Sequence, residues 1–415
     1  MQEIQKLDSM SSETSMPDLA KSFFDGTSSP TSPALDHARF QDKVHILLSW
    51  AMSLFTLGVH RPYAVCTLLK LWHDERDAFV QKTSATGPID MFPALYDWLE
   101  SSPSAKDPSN VLAIGITFGE LTRSGLFSYG RYLQTLISHG HTARSGSRSS
   151  HHLGILRALP IFVEGKDLMH QRRIALCGDD QEQRTIDELQ ENQQMESYKE
   201  EVKEFVPEIF GYSKSHFNVR WPTPKSADSI ERWGRSASLR DTIDHQLVTA
   251  PDFNRYMFLQ ARFWLFPLCS QHLKSQPTIP AMNGSTFARL LLVFRQCYGL
   301  STTADMTVRA ILHAEDPEVV LMAMDTVIRE ADCWTANDRW GRITDALVER
   351  LHNVQPGDRL HGALITLLSE LRQQGRLSSG ERKDLKAAQE KAKEVRQRVS
   401  GIHPVRTRLI LCRRA

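Results

Sequence analysis

The sequence predicts an all-α protein, an array of antiparallel helix hairpins of the HEAT-like kind. Three observations predict it. Apolar residues recur at spacings of three and four along most of the chain. Helix-stopping glycines (Gly125, Gly140, Gly178, Gly299 and Gly375) punctuate these stretches, and the connections between them are short and polar. Strand alternation is nearly absent: Thr407 to Cys412 has local β character but no partner. The chain has no exact internal period, so the repeats are inferred from helix count alone.

Residues 1–40 are rich in Ser, Thr, Pro and acidic residues and read as a disordered lead. The segment Ser28-Ser29-Pro30-Thr31-Ser32-Pro33 has no face to bury, and its two Ser-Pro steps suit proline-directed kinases. A first helical domain is expected over 41–206. Val44, Leu47, Leu48, Ala51, Leu54 and Phe55 form the stripe of its opening helix. Gly58 ends that helix, and Pro62 stands where a first-turn proline opens the next, which carries Val65, Leu68, Leu69 and Trp72. Further helices are predicted over 89–101, 108–124, 128–139, 150–159, 166–177 and 181–206. His141 to Ser150 is an exposed Ser/Gly/Arg loop. Pro207, Pro222 and Pro224 mark 207–226 as a linker. A second helical stretch, 227–400, holds predicted helices over 227–249, 252–273, 285–298, 303–314, 316–333, 339–353, 358–375 and 379–400, and 401–415 is a tail.

The composition narrows the function. Hydrophobic residues are 41% and charged residues 24%, the balance of a folded chain. Net charge is +1, so nothing in the overall electrostatics points to direct sequence-specific nucleic-acid binding. The six cysteines are scattered without a CxxC pair, which suits a reducing compartment and argues against a zinc knuckle. The apolar run at Phe263 to Cys269 is too short to cross a bilayer. The sequon at Asn283-Gly284-Ser285 reads as a turn or helix N-cap.

No phosphate-binding glycine loop, zincin helix, nucleophile elbow or kinase motif is present, so no catalytic residue, cofactor site or metal site is expected. The histidine pairs His139/His141 and His151/His152 lack a third ligand at useful spacing and read as solvated loop residues. Glu196, Glu200, Glu201 and Glu204 alternate with Lys199 and Lys203 as surface ion pairs of a helix. The aromatic cluster Phe253 to Phe266 reads as core packing, with a partner groove as the alternative.

The first hairpin carries a more specific pattern. Leu47-Leu48-Ser49-Trp50-Ala51-Met52, then Gly58-Val59-His60-Arg61-Pro62-Tyr63 and Leu68-Leu69-Lys70-Leu71-Trp72, resembles the signature of the Mediator subunit 12 family, its fungal form above all. Later stretches agree in order: Phe118-Gly119-Glu120-Leu121, Gly125-Leu126-Phe127-Ser128, Leu136 to Gly140, Leu156 to Pro160, and Arg172-Arg173 through Gly178. The motif residues are therefore Trp50, Ala51, Gly58, His60, Arg61, Pro62, Tyr63, Leu68, Leu69, Glu120, Phe127, Gly140, Arg173 and Gly178, all in architectural roles.

The resemblance implies a nuclear scaffold of the Mediator kinase module. Such a scaffold links a cyclin-dependent kinase and cyclin C to Mediator subunit 13 and usually restrains transcription. Family members are far longer, so the chain is expected to be a fragment. The family's kinase-stimulating segment precedes the matched region, so scaffolding is carried over and kinase activation is not. A helical-repeat adaptor outside transcription is the competing class.

Overall fold

Several helices start where a capping side chain meets the apolar stripe. The computed structural model describes residues 2–27, 36–53, 58–83, 89–142, 151–159, 166–211, 264–274, 281–296 and 299–411. Among the described residues every regular element is helical, as expected. The chain begins with α1 (Gln2–Asp8) and α2 (Met16–Phe23), followed by the hairpin α3 (His37–Ala51) and α4 (Arg61–Thr83). Next come α5 (Phe92–Ser101), the single turn α6 (Pro103–Lys106), α7 (Val111–Arg123), α8 (Tyr129–Ser138), α9 (His151–Ala158), α10 (Lys166–Cys177) and α11 (Gln181–Phe205). After the gap in the described residues stand α12 (Gly284–Gln296), α13 (Leu300–His313), α14 (Pro317–Arg329), α15 (Ala331–Ala336), α16 (Trp340–Asn353), α17 (Arg359–Gln373) and α18 (Ser379–Leu411).

Side-chain oxygens of Asp36, Ser128, Asp180 and Asp316 accept from the first-turn amides of α3, α8, α11 and α14. Asn283 of the sequon accepts from the Thr286 amide at 2.9 Å, the N-cap role read from the sequence. Ser378 and Glu381 exchange bonds as a capping box at the start of α18. Gly125, Gly140, Gly178 and Gly375 stop their helices in the left-handed region, at φ between +71 and +79°. Gly299 stops α12 in another way: at φ −93° its amide donates to the Phe294 carbonyl at 2.8 Å, and the same residue is the N-cap of α13.

The second helical stretch stacks as hairpins. α13 packs on α14 and α16, and α14 on α17, so the pair α13–α14 lies against the pair α16–α17, with α18 covering α16 and α17. The first stretch is organised around α7, every residue of which is buried from Val111 to Leu121. A helix that is apolar all round must be walled on all sides; here α3, α4 and α9 supply walls. α4 is a second hub, touching α2, α3, α7 and, from the far end of the sequence, α15.

Three expectations are corrected. The lead is not disordered throughout: α1 and α2 pack onto α4 and the core, burying Leu7, Met16, Ala20, Phe23 and Phe24. The predicted helix over 316–333 breaks at Glu330 into α14 and α15, because the Trp334 indole turns back to donate to the Val327 carbonyl at 2.9 Å. The β character expected from Thr407 gives way to helix through Leu411, since α18 runs on into the stretch expected as a tail. Several expectations lie outside the described residues: the Ser-Pro segment, Leu54 and Phe55, most of the Ser/Gly/Arg loop, the bulk of the 207–226 linker, helix 227–249 and Phe253 to Phe263 of the aromatic cluster. Of that cluster, Trp264 and Phe266 are half-buried against the core. Among the described residues no helix is long and apolar enough to cross a membrane.

Candidate functional site

The motif residues converge on the α3–α4 hairpin. Trp50 ends α3, and Arg61 at the start of α4 lays its guanidinium over the Trp50 ring, 4.4 Å from the centroid. Arg61 Nη1 donates to the Trp50 carbonyl at 3.3 Å and to Ser53 Oγ at 2.7 Å, while Nη2 donates to Asp8 Oδ1 at 2.6 Å. Trp50 Nε1 donates to the same Asp8 oxygen at 2.9 Å. One carboxylate from α1 thus clamps the two ends of the hairpin, an ionic partner that the disordered-lead reading hid. His60 places its ring edge-on to Trp50 at 6.5 Å, and burial lowers its pKa against the opposing pull of Asp332. Gly58 has φ +136°, and a Cβ there would stand 2.5 Å from the His60 ring, so glycine is required on both counts. Pro62 occupies the first turn of α4, and Ala51, Leu68 and Leu69 are fully buried beneath.

Tyr63, Glu120 and Phe127 bind the hairpin to the rest. Phe127 packs between Phe92, Phe118 and Tyr132 with ring centroids 5.0–5.5 Å apart. The Tyr63 hydroxyl accepts from the Leu300 amide at 3.1 Å, capping the first turn of α13 across the fold. Buried Glu120 accepts from Arg123 Nε at 2.7 Å and from Ser301 Oγ at 2.9 Å. Beside this network lies a cleft of about 360 Å³ where α4 and α7 meet Asn337, Asp338 and Arg339, with Lys70 and Asp74 at its wall. Burial pushes the Cys66 thiol in that wall up to about 11, so it is held protonated and is not a nucleophile at neutral pH. The cleft is a polar seam between the two helical stretches, in which Glu120 and Arg123 are paired with each other.

Of the arginine pair, the sequence singled out Arg173, which reaches Glu191 at 3.4 Å. Arg172, not selected, is the fully buried one; its Nη1 donates to Glu191 Oε1 at 3.0 Å and its Nε to the Leu156 carbonyl at 3.4 Å. The acidic helix behaves as read: Lys199–Glu196 and Lys203–Glu200 are ordinary surface pairs. No disulfide joins the four cysteines among the described residues, Cys66, Cys177, Cys269 and Cys333.

The histidines overturn their reading as solvated loop residues without a third ligand. His152 is fully buried at the start of α9, and Glu100, from the last turn of α5, is the third group. Its Oε2 lies 3.0 Å from His152 Nε2 and its Oε1 lies 3.4 Å from His141 Nε2. Glu100, His141 and His152 offer ligand atoms all within 4.8 Å of one another. His152 Nδ1 is 2.9 Å from the Tyr132 hydroxyl, and Tyr96 donates its hydroxyl to Glu100 at 3.1 Å while standing 3.0 Å from His139 Nδ1. His151 turns away to the Leu99 carbonyl at 2.7 Å. Burial and the adjoining His151 bring His152 down to about 4. Burial alone would raise Glu100, but His152 and the Tyr96 hydroxyl outweigh it and hold the carboxylate below its usual range.

Fungal proteins named Mediator of RNA polymerase II transcription subunit 12 are similar to this chain. The one from Mycosarcoma maydis is 24% identical over 376 residues, covering 77% of this chain and 19% of the relative. The Aspergillus oryzae protein is 25% identical over 333 residues, 78% of this chain and 19% of its own length. The Phaeosphaeria nodorum protein is 30% identical over 173 residues, 41% and 10% of the two chains. The resemblance read around Trp50 is borne out, and the similarity reaches well beyond residues 44–178 that carry the motifs. The chain spans about a fifth of the length of the first two relatives. No protein-family profile matches it, and no solved structure matches it.

Proposed function

We propose that this chain is a scaffolding segment of the Mediator kinase module in the nucleus. In this reading it helps link a cyclin-dependent kinase and cyclin C to Mediator subunit 13, and through it to core Mediator, as a coregulator of RNA polymerase II that usually restrains transcription. The observation that carries the reading is similarity, over as much as 78% of the chain, to proteins named Mediator subunit 12. The geometry supports a scaffold, because the motif side chains are spent on helix junctions. Arg61, Tyr63 and Glu120 each bond to a residue distant in sequence, Asp8, Leu300 and Ser301 respectively. Such bonds fix the shape of an array and leave its outer faces for partners. A net charge of +1 favours protein partners over direct sequence-specific contact with nucleic acid.

The test is affinity purification of the chain, within its full-length gene product, from nuclear extract. Recovery of the kinase, cyclin C and subunit 13 is expected. Recovery of cytoplasmic partners alone would sink the proposal.

A further inference from the structure

We infer that Glu100, His141 and His152 form a binding site for one divalent transition-metal ion of the zinc class. Three donors about 2.1 Å from a tetrahedral zinc stand about 3.4 Å from one another. Glu100 Oε2 stands 3.0 Å from His152 Nε2 and Glu100 Oε1 stands 3.4 Å from His141 Nε2, and one donor atom from each residue lies within 4.8 Å of the others, a set that a small adjustment of the partly exposed Glu100 and His141 brings to that edge length. The three ligands come from separate places: the last turn of α5, the residue just past the Gly140 stop of α8, and the first turn of α9. A shared ion would therefore staple three helices and pin both flanks of the Ser/Gly/Arg segment.

The surrounding groups orient the ligands as metal sites require. The Tyr132 hydroxyl, 2.9 Å from His152 Nδ1, fixes the ring so that Nε2 faces Glu100, where a bound ion would take the place of the Nε2 proton. The Tyr96 hydroxyl holds the carboxylate in turn. Glu100 and His141 are partly exposed, which gives an ion an entry path and leaves the fourth position to water. Two imidazoles and one carboxylate select zinc, cobalt, nickel or copper over magnesium and calcium, which prefer all-oxygen sites. His139 and His151 are already engaged with Tyr96 and Leu99 and stand outside the ligand set.

The experiment uses the whole 415-residue chain, stripped with a chelator and titrated with Zn²⁺ in competition with a chromophoric chelator, and separately with Co²⁺. One equivalent of zinc and the intense visible absorption of four-coordinate cobalt are expected. His141→Ala and Glu100→Gln, at partly exposed positions, each weaken zinc by at least about tenfold and abolish the cobalt spectrum. Tyr132→Phe removes only the orienting hydroxyl and weakens zinc by about tenfold. His170→Ala, at an exposed histidine elsewhere, leaves affinity unchanged. Zinc affinity indifferent to both His141→Ala and Glu100→Gln, or a wild-type chain that takes up less than one equivalent, would overturn the site.

Discussion

Arg172 is a guanidinium with no exposed surface, held by the Glu191 carboxylate at 3.0 Å, whose side chain is only 5% exposed. Its replacement by alanine leaves that carboxylate only the longer contact to Arg173 at 3.4 Å, and removing one partner of a buried pair costs about 3–5 kcal/mol, here toward the lower end. Denaturant unfolding of Arg172→Ala is expected to show a loss of that size, whereas Lys199→Ala, on a solvated pair, costs at most about 1 kcal/mol. Equal effects would mean the Arg172 pair is hydrated. At this scale the sequence was a partial guide. Arg172 and Arg173 are adjacent and chemically identical, and only the packing of α10 against α11 decides which one faces inward. Trp50, Arg61 and Gly58 were legible as a cluster because a helix end, a glycine and a first-turn proline lie within a few residues of one another. Their ionic partner Asp8 was not, because nothing local ties a carboxylate to an arginine so far along the chain. The same distance hid Glu100 from His141 and His152.

Among the elements, α2 carries the clearest consequence. Met16, Ala20 and Phe23 fall on one face and are buried, and Phe24 meets Phe40 and Trp72. Phe23→Ala is expected to cost about 3–5 kcal/mol in a thermal or denaturant melt, as for other large-to-small core changes. A solvated tail would register less than about 0.5 kcal/mol for the same substitution. The helix was readable after all: Ser15 caps it, Pro17 sits in its first turn and the apolar spacing is three and four. Its signal was lost by averaging residues 1–40 into a single Ser/Pro-rich composition. Elsewhere the caps and glycine stops carried the reading, which is why the ends of α5, α8, α10, α11 and α16 fall within three residues of expectation. The break at Glu330 had no such punctuation, since it depends on where Trp334 finds its acceptor.

For the molecule as a whole, the 207–226 stretch does not divide two independent bodies. Arg289 on α12 donates to the Phe205 carbonyl at 2.9 Å and to Glu208 at 2.7 Å, and Thr335 donates to the Ser12 carbonyl at 3.0 Å. With Tyr63 to Leu300 and Glu120 to Ser301, these bonds tie the first helical stretch to the second. Substituting Tyr63 by Phe leaves the buried Leu300 amide without that acceptor, a cost of about 1–3 kcal/mol. Hydrogen exchange of the variant is expected to show protection falling together in α3–α7 and α13–α16. Loss confined to one stretch would mean that the two open separately. Hairpin stacking was foreseeable from helix order, but the closure of one stretch on the other was not, because periodicity says which face is apolar and not what covers it.

The contact of α4 with α15 also has a dimension in time. During synthesis α4 emerges from the ribosome long before residues 331–336 exist, so one face of this hub stays wet until α15 has been made. That face therefore stays unfinished and sticky through the synthesis of every helix between α4 and α15, the circumstance in which chaperones are needed and premature stops are punished by aggregation.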